Sequence, residues 1–342
     1  MQVHQNYPLK KYNTFGINAY SKYFSAFATI EDLKLILEEY AEQSTLILGG
    51  GSNLLFTKNY AGIVLKNNLL GIDIVDEDEN YVYVKAGAGE NWHQFVLYCL
   101  QNNFSGVENL SLIPGNIGAC PMQNIGAYGV ELKDVFHSLD AFHLGERKVV
   151  SFDLNDCGFG YRDSVFKKKY KDQFAITSVT FRLNKIPQFN ISYGAIKEEL
   201  DKMKVEELTI QAISQAVINI RSSKLPDPTV IGNAGSFFKN PEISNANFQI
   251  LLSKFKNAVG YKLENGNVKL AAAWLIEQCG PEKGTTWKGF RRGDAGCHEK
   301  QALVLVNYGN ALGSQIYNLS KEIKKSVKEK FDIELESEVN II

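Results

Sequence analysis

Three segments unusually rich in glycine fall early in the chain: LGGGSN at 48–53, KAGAGE at 85–90 and IPGNIGACPMQNIGAYG at 113–129. Glycine accepts positive φ and has no side chain to hold a ligand off, so such loops let backbone amides converge on an anion. Each segment alone also reads as a tight turn. Three of them in one strand-rich region point to a diphosphate cradle. The GGGSN stretch runs on into LLF in a strand-like context rather than into a helix, and no GK[ST] is present. Both facts disfavour the Rossmann and P-loop readings.

Composition narrows the remaining choices. A chain of 342 residues, 44% hydrophobic, is long enough for two or three domains with substantial cores. Lysine and arginine number 37 against 38 acidic residues, a formal net charge of -1. No global basic field exists to hold nucleic acid, so a ligand must be recognised locally. Cys99, Cys120, Cys157, Cys279 and Cys297 form no CxxC pair and lack zinc-site spacing, so they read as reduced, buried thiols of a cytoplasmic protein. His298 beside Cys297 has no second ligand at suitable spacing, and no metal is expected. The amino terminus lacks an apolar signal core, and KLAAAWLIEQCG is broken by Glu277. Neither secretion nor membrane insertion is expected.

The apolar pattern alternates between helix and strand periods. EDLKLILEEYAEQ places Leu33, Ile36, Leu37 and Tyr40 at helical spacing, with Thr29 and Asp32 as a capping pair. WHQFVLYCLQNN predicts a second helix through Trp92, Phe95, Val96 and Cys99. GIDIVDEDENYVYVKAG predicts a hairpin with the acidic DEDEN as its solvated turn, and SVTFRL alternates Val179, Phe181 and Leu183 as a strand. TIQAISQAVINIR repeats Ile210, Ile213, Val217 and Ile220, and SKLPDP then stops the helix at a domain boundary. Near the end, Ile316, Leu319, Ile323 and Val327 form an apolar stripe whose lysines are the wet face.

LILGGGSNLLF, AGAGENWHQF, NLSLIPGNIGACPMQNIGAYGVEL, GYRDSVFK, SSKLPDP, NAGSFFKNP, HEKQALVLVN and ELESEV follow one another in an order that resembles the UDP-N-acetylenolpyruvoylglucosamine reductases over the full length. ISYGAIKEEL, with Tyr193, is similar to the tyrosine loop of that family's type I form. The resemblance implies an α+β fold: a two-subdomain FAD-binding module of the vanillyl-alcohol-oxidase (PCMH) type, then a separate α+β substrate-binding domain. The implied bounds are 1–66 and 67–220 for the two FAD-binding subdomains, with the module overall at about 17–188, and 221–342 for the substrate domain with its C-terminal catalytic strand. Dissociable FAD is implied, since the GGGSN loop contains no histidine or cysteine for covalent attachment. Gly49, Gly50, Gly51, Ser52, Asn53, Gly115, Gly118 and Gly126 would contact it. NADPH would be the co-substrate and UDP-N-acetylglucosamine enolpyruvate the substrate of a monomeric protein.

The resemblance also assigns chemistry. Reducing an enolpyruvyl double bond needs a hydride, a stabiliser for the charge that spreads into the adjacent carboxylate, and a proton for carbon. Ser236 in NAGSFFKNP would be the proton donor, with the neighbouring glycine letting the backbone come close and the phenylalanines keeping the pocket dry. Read from its residues alone, it is a serine in a turn before a strand. Arg162 would hold the carboxylate bidentately; its other reading is a surface pair with Asp163. Glu338 would hydrogen-bond the substrate carboxylate or assist proton transfer. Alternation in DIELESEV instead puts Glu334, Glu336 and Glu338 on one solvated strand face, and Ser337 stands where the family has proline. Tyr193, Lys224, Asn240 and Gln301 match positions that contact the diphosphate and uridyl parts. Two alternatives stay open: a flavoprotein of the same fold with another substrate, and a non-catalytic flavin or nucleotide-sugar binder.

Overall fold

The computed structural model describes residues 2–342. They gather into two compact units. The first takes the residues up to Tyr7, Ser21–Gly51 and Ala61–Ser223; the second takes Pro8–Tyr20, Ser52–Tyr60 and Lys224–Ile342.

In the first unit, strands Thr45–Leu48 and Tyr60–Asn67 run parallel, with Leu48 opposite Lys66, and deliver the chain to the first glycine loop. Helix Ile30–Glu39 buries Leu33, Ile36 and Leu37 with Phe27, Ile63 and Leu65. Its start is fixed as the sequence requires. The Asp32 amide donates to Thr29 Oγ1 at 3.0 Å while the Thr29 amide donates to Asp32 Oδ2 at 3.1 Å.

A second sheet in this unit has five antiparallel strands. In spatial order they are Lys148–Asp153, Phe136–His143, Phe174–Asn184, Tyr81–Gly87 and Ile72–Glu77. The predicted hairpin forms, but its turn is tighter than DEDEN: Asp76 and Glu77 still belong to the strand. Asp78 closes the turn, accepting from the amides of Asn80 and Tyr81 at 2.8 and 2.7 Å. In Phe174–Asn184 the alternating Val179, Phe181 and Leu183 are buried, and so are Ser178 and Thr180 on either side of Val179. Helix Trp92–Gln101 supplies one cover, its Trp92 and Phe95 rings lying 5.8 and 4.5 Å from that of Phe181. Helices Gly194–Met203 and Ile210–Lys224 share a smaller core of Ile196, Leu200, Ala216, Val217 and Ile220.

The second unit is built from three stretches of chain. Strand Gly232–Ser236 pairs with Val304–Asn307, which pairs with Ala295–Cys297. Gly232 is small because a Cβ there would come within 2.2 Å of the Phe15 carbonyl oxygen. Helix Gly313–Phe331 buries Ile316, Leu319, Ile323 and Val327 as its stripe predicts. Leu54–Leu55, continuing from the first glycine loop, pairs in parallel with Asn340–Ile341.

DIELESEV departs from a regular strand. Ile333 and Leu335 are buried while Glu334 and Glu336 are exposed, as alternation demands, yet only Ser337 pairs, in an isolated bridge to Phe238. The flanking bonds are Glu338 N–H to Phe237 O at 2.8 Å and Lys239 N–H to Glu336 O at 2.9 Å. Among the described residues no bond returns from Glu336 N–H to Lys239 O, so the ladder ends at these two rungs. No helix among the described residues is long and apolar enough to cross a membrane.

Candidate active site

The three glycine segments meet in the first unit. Trp92 N–H donates to Gly115 O at 3.0 Å, Ile117 N–H to Glu90 O at 2.9 Å and Gly118 N–H to Ala88 O at 3.0 Å, so the second and third loops are laced backbone to backbone. The first loop lies against the third: a Cβ on Gly50 would fall 2.9 Å from the Gly115 Cα and 2.7 Å from Asn116 Oδ1. Asn116 in turn donates through Nδ2 to Gly89 O. Of the residues expected around the cofactor, Gly49, Gly50, Gly51, Gly115 and Gly118 belong to this unit, whereas Ser52 and Asn53 belong to the second.

Gly126 has a different neighbour. The Arg162 guanidinium donates from Nη2 to Gly126 O at 2.6 Å and from Nη1 to Asn124 O at 3.5 Å. A Cβ on Gly126 would sit 3.1 Å from Arg162 Nη1, so the glycine makes room for the guanidinium. Arg162 holds a left-handed φ of 53°, which the surrounding links over-determine. Asn124 Nδ2 donates to Gly160 O at 3.1 Å and Ser164 Oγ to Met122 O at 2.8 Å, stitching GYRDS onto the third glycine segment. Asp163 pairs with Lys168.

In the second unit, the ladder between Phe237–Lys239 and Glu336–Glu338 stands Glu338 across from Phe237, the residue after Ser236. Glu338 is half-buried, unlike Glu334 and Glu336, whose carboxylates pair with Lys328 at 3.3 Å and Lys239 at 3.2 Å. That difference separates Glu338 from the acidic face on which sequence alternation had placed all three. Asn53 Nδ2 donates to Glu338 O at 3.3 Å, and Asn53 O accepts from Asn340 N–H at 3.1 Å, so the segment that leaves the first glycine loop also anchors the acidic one.

Ser236 ends its strand opposite Val304, just after a bulge. Gly235 makes the bulge with φ of 69°, and no protein atom lies within 4 Å of where its Cβ would stand. The conformation requires glycine, and the space beside Ser236 is left open. Phe237 and Phe238 are buried in the core and hold the strand end in place.

Two family patterns divide the chain: the FAD binding domain matches residues 22–150, and the UDP-N-acetylenolpyruvoylglucosamine reductase C-terminal domain matches residues 227–342. A UDP-N-acetylenolpyruvoylglucosamine reductase of Flavobacterium johnsoniae is 50% identical over 343 residues, covering 100% of both chains. The chain belongs to the UDP-N-acetylenolpyruvoylglucosamine reductase family. A reductase of the same name from Amoebophilus asiaticus is 49% identical, again over 100% of both. The solved structure of UDP-N-acetylenolpyruvylglucosamine reductase from Thermus caldophilus superposes with a TM-score of 0.67 at 22% identity, over 99% of this chain and 98% of that one, which shows the shared fold. The protein is accordingly an FAD-dependent oxidoreductase with the expected α+β architecture.

The converging loops fit the reductases' cofactor. Glycines and the Asn116 side chain line the place where the loops touch, and the backbone amides that glycine leaves uncovered suit a diphosphate. Gly50→Ala forces a methyl onto Gly115; we expect flavin occupancy to fall at least about tenfold, read from the ratio of flavin to protein absorbance after gel filtration, since a contact this short requires backbone movement.

The four residues proposed for the uridyl diphosphate are placed differently. Tyr193 caps helix Gly194–Met203 with its ring 44% exposed, and Lys224 ends helix Ile210–Lys224 in solvent. Asn240 Oδ1 accepts from Ala272 N–H at 3.0 Å, and Gln301 Oε1 accepts from Leu303 N–H at 3.3 Å. Each oxygen has one backbone partner, and each amide can still meet a ligand through its N–H groups or a second lone pair.

One residue escaped the sequence reading. Arg221 follows Val217 by four positions, on the buried side of Ile210–Lys224, and its Nε is buried with no hydrogen-bond partner among the described residues. Burial lowers its basicity, the Tyr128 hydroxyl opposes that shift, and the positive charge of Arg162 adds to it. No carboxylate among the described residues pairs with it. The signal was present in the sequence: a charge on the apolar stripe of TIQAISQAVINIR.

Proposed function

We propose that this protein reduces UDP-N-acetylglucosamine enolpyruvate to UDP-N-acetylmuramate for peptidoglycan synthesis, with NADPH as the electron source. The observation that carries the reading is the ladder that stands Glu338 beside NAGSFF, in a chain 50% identical over its whole length to a reductase of that name. When bound, FAD supplies the hydride relay between the nicotinamide and the enolpyruvyl group. The glycine loops of the first unit would hold FAD. A cytoplasmic setting agrees with five cysteines that are all unpaired and buried.

The protein's own residues would divide the remaining work. Ser236 donates the proton to the carbon bonded to the ether oxygen. The strand end, held by buried Phe237 and Phe238, fixes the hydroxyl, and the open space beside Gly235 admits the substrate. Arg162, already clamped to Gly126 and Asn124, meets the substrate carboxylate with its planar fork. Glu338 hydrogen-bonds the substrate carboxylate as well, and Arg221 adds a second, half-buried positive charge near Arg162. Tyr193, Lys224 and the amide N–H groups of Asn240 and Gln301 bind the diphosphate and uridine.

Purified protein is expected to be yellow and to release FAD, not FMN, on acid precipitation. Added anaerobically, NADPH should bleach it and the enolpyruvyl sugar should restore the colour, with UDP-N-acetylmuramate as product. A colourless protein that stays so after incubation with FAD would remove the reading.

A further inference from the structure

A fourth segment borders the glycine loops, and it carries a charge. Strands Thr45–Leu48 and Tyr60–Asn67 run parallel and end together, with Leu48, the last residue before Gly49, opposite Lys66. Beyond Lys66 the chain passes against the second glycine segment. Gly89 N–H donates to Leu69 O at 2.8 Å, a Cβ on Gly89 would fall 2.8 Å from Asn68 Cα, and one on Gly87 would fall 2.4 Å from Leu69 O. Asn67 fixes the passage, donating from Nδ2 to Ile176 O at 2.9 Å and accepting at Oδ1 from Leu69 N–H at 3.1 Å. Residues 66–69 thus join the first glycine segment to the second. They do so at the carboxyl ends of parallel strands, the edge at which open α/β sheets receive their ligands.

Lys66 is half-buried there, and its ammonium donates to one oxygen, Asn67 O at 3.2 Å. That contact turns the side chain forward along its strand, towards the end at which the neighbouring strand gives way to Gly49. No carboxylate among the described residues pairs with it, and burial lowers its basicity with no nearby charge to offset the loss. Lys85, which opens the second glycine segment, has Asp140 at 2.7 Å instead. Of these two lysines, then, only Lys66 is left with its charge unmatched. We propose that Lys66 is the counter-charge for the cofactor's diphosphate, an ammonium set at the rim of the glycine loops to meet the anion that their amides hold. Amides bring partial charges, whereas a diphosphate is a dianion at neutral pH, and a lysine ammonium is a compact point charge suited to phosphate. The inference rests on FAD as the cofactor, which the parent protein's own titration tests apart from the lysine.

Lys66→Met keeps an unbranched side chain and removes its charge. In full-length protein stripped of flavin, Kd for FAD, read from flavin fluorescence, should rise about ten- to a hundredfold, the scale of one charge-assisted hydrogen bond. Kd for ADP, read by competition against FAD, should rise by the same factor. Riboflavin, which has the ring and no phosphate, should bind within about twofold of its parental Kd. The thermal midpoint of the flavin-free protein should hold or rise. Folding lowers the basicity of Lys66, so its charge opposes folding at neutral pH, and the variant no longer buries it. Lys66→Arg, which keeps the charge, should bind FAD within a few-fold of the parent. Parental FAD affinity in Lys66→Met would overturn the proposal. So would a riboflavin affinity that falls as far as that for FAD, which sets the ammonium against the ring, and so would a lowered midpoint of the flavin-free protein, which makes Lys66 a part of the fold.

Discussion

Ser236→Ala is expected to bleach with NADPH at the parental rate and then to recover its colour with the enolpyruvyl sugar about 10²- to 10⁴-fold more slowly, the range for loss of a positioned general acid. Bleaching requires no proton on the substrate carbon, so only the second half-reaction should suffer. The substitution is gentle on the fold. Ser236 lies half-buried at a strand end that Phe237, Phe238 and the Phe237–Leu303 backbone bond hold regardless of the hydroxyl. Ser236→Cys, which keeps an ionisable proton, should regain part of the rate. Solvent deuterium should enter the product at the carbon bearing the ether oxygen, and a hydride label from NADPH should enter the methyl group. Parental reoxidation by Ser236→Ala would reduce NAGSFF to a glycine bulge that shapes a strand end.

Arg162→Lys should lower enolpyruvyl reduction by about 10²- to 10³-fold while flavin stays bound, as when a preorganised donor to developing charge is removed. The geometry gives the reason. The guanidinium donates to Gly126 O and Asn124 O through two N–H groups of a planar, five-donor fork. A lysine ammonium at that place can keep the backbone contact or meet the carboxylate, and lacks the fork for both. The left-handed backbone at Arg162 and the Asn124 and Ser164 links are untouched by the change, so the loop should keep its shape. Activity within about a factor of two of the parent, under about 1 kcal/mol of transition-state free energy, would make Arg162 a clamp for its own loop and nothing more.

Local pattern revealed what is local. The Thr29–Asp32 cap, the stripe of Gly313–Phe331 and the hairpin ending at Gly87 all depend on residues within a turn or two of each other, and each is legible in the sequence. The glycine loops were legible as glycine but not as a set of contacts, because the laces from Trp92 to Gly115 and from Gly118 to Ala88 join segments about 25 residues apart. Glu338 could not be told from Glu334 and Glu336 by alternation. Only the bridge from Ser337 to Phe238 gives the three carboxylates different surroundings. Arg221 was legible in principle, as a charge out of place on an apolar stripe. Periodicity that counts apolar positions passes over it.

The second unit's three-part construction bears on how the protein is made. Leu54, Leu55 and Phe56 are buried, yet the strand Leu54–Leu55 finds its parallel partner only when Asn340 and Ile341 exist. A ribosome adding about 5–20 residues per second therefore leaves this apolar stretch without its partner for tens of seconds after it emerges. The helices and antiparallel sheet of the first unit, complete once Ser223 has been added, can assemble before Asn340 is made. Nascent chains stalled before residue 338 should accordingly show a protease-resistant core from the first unit alone, with cleavage near Phe56, and should lean on chaperones until the last strand is released.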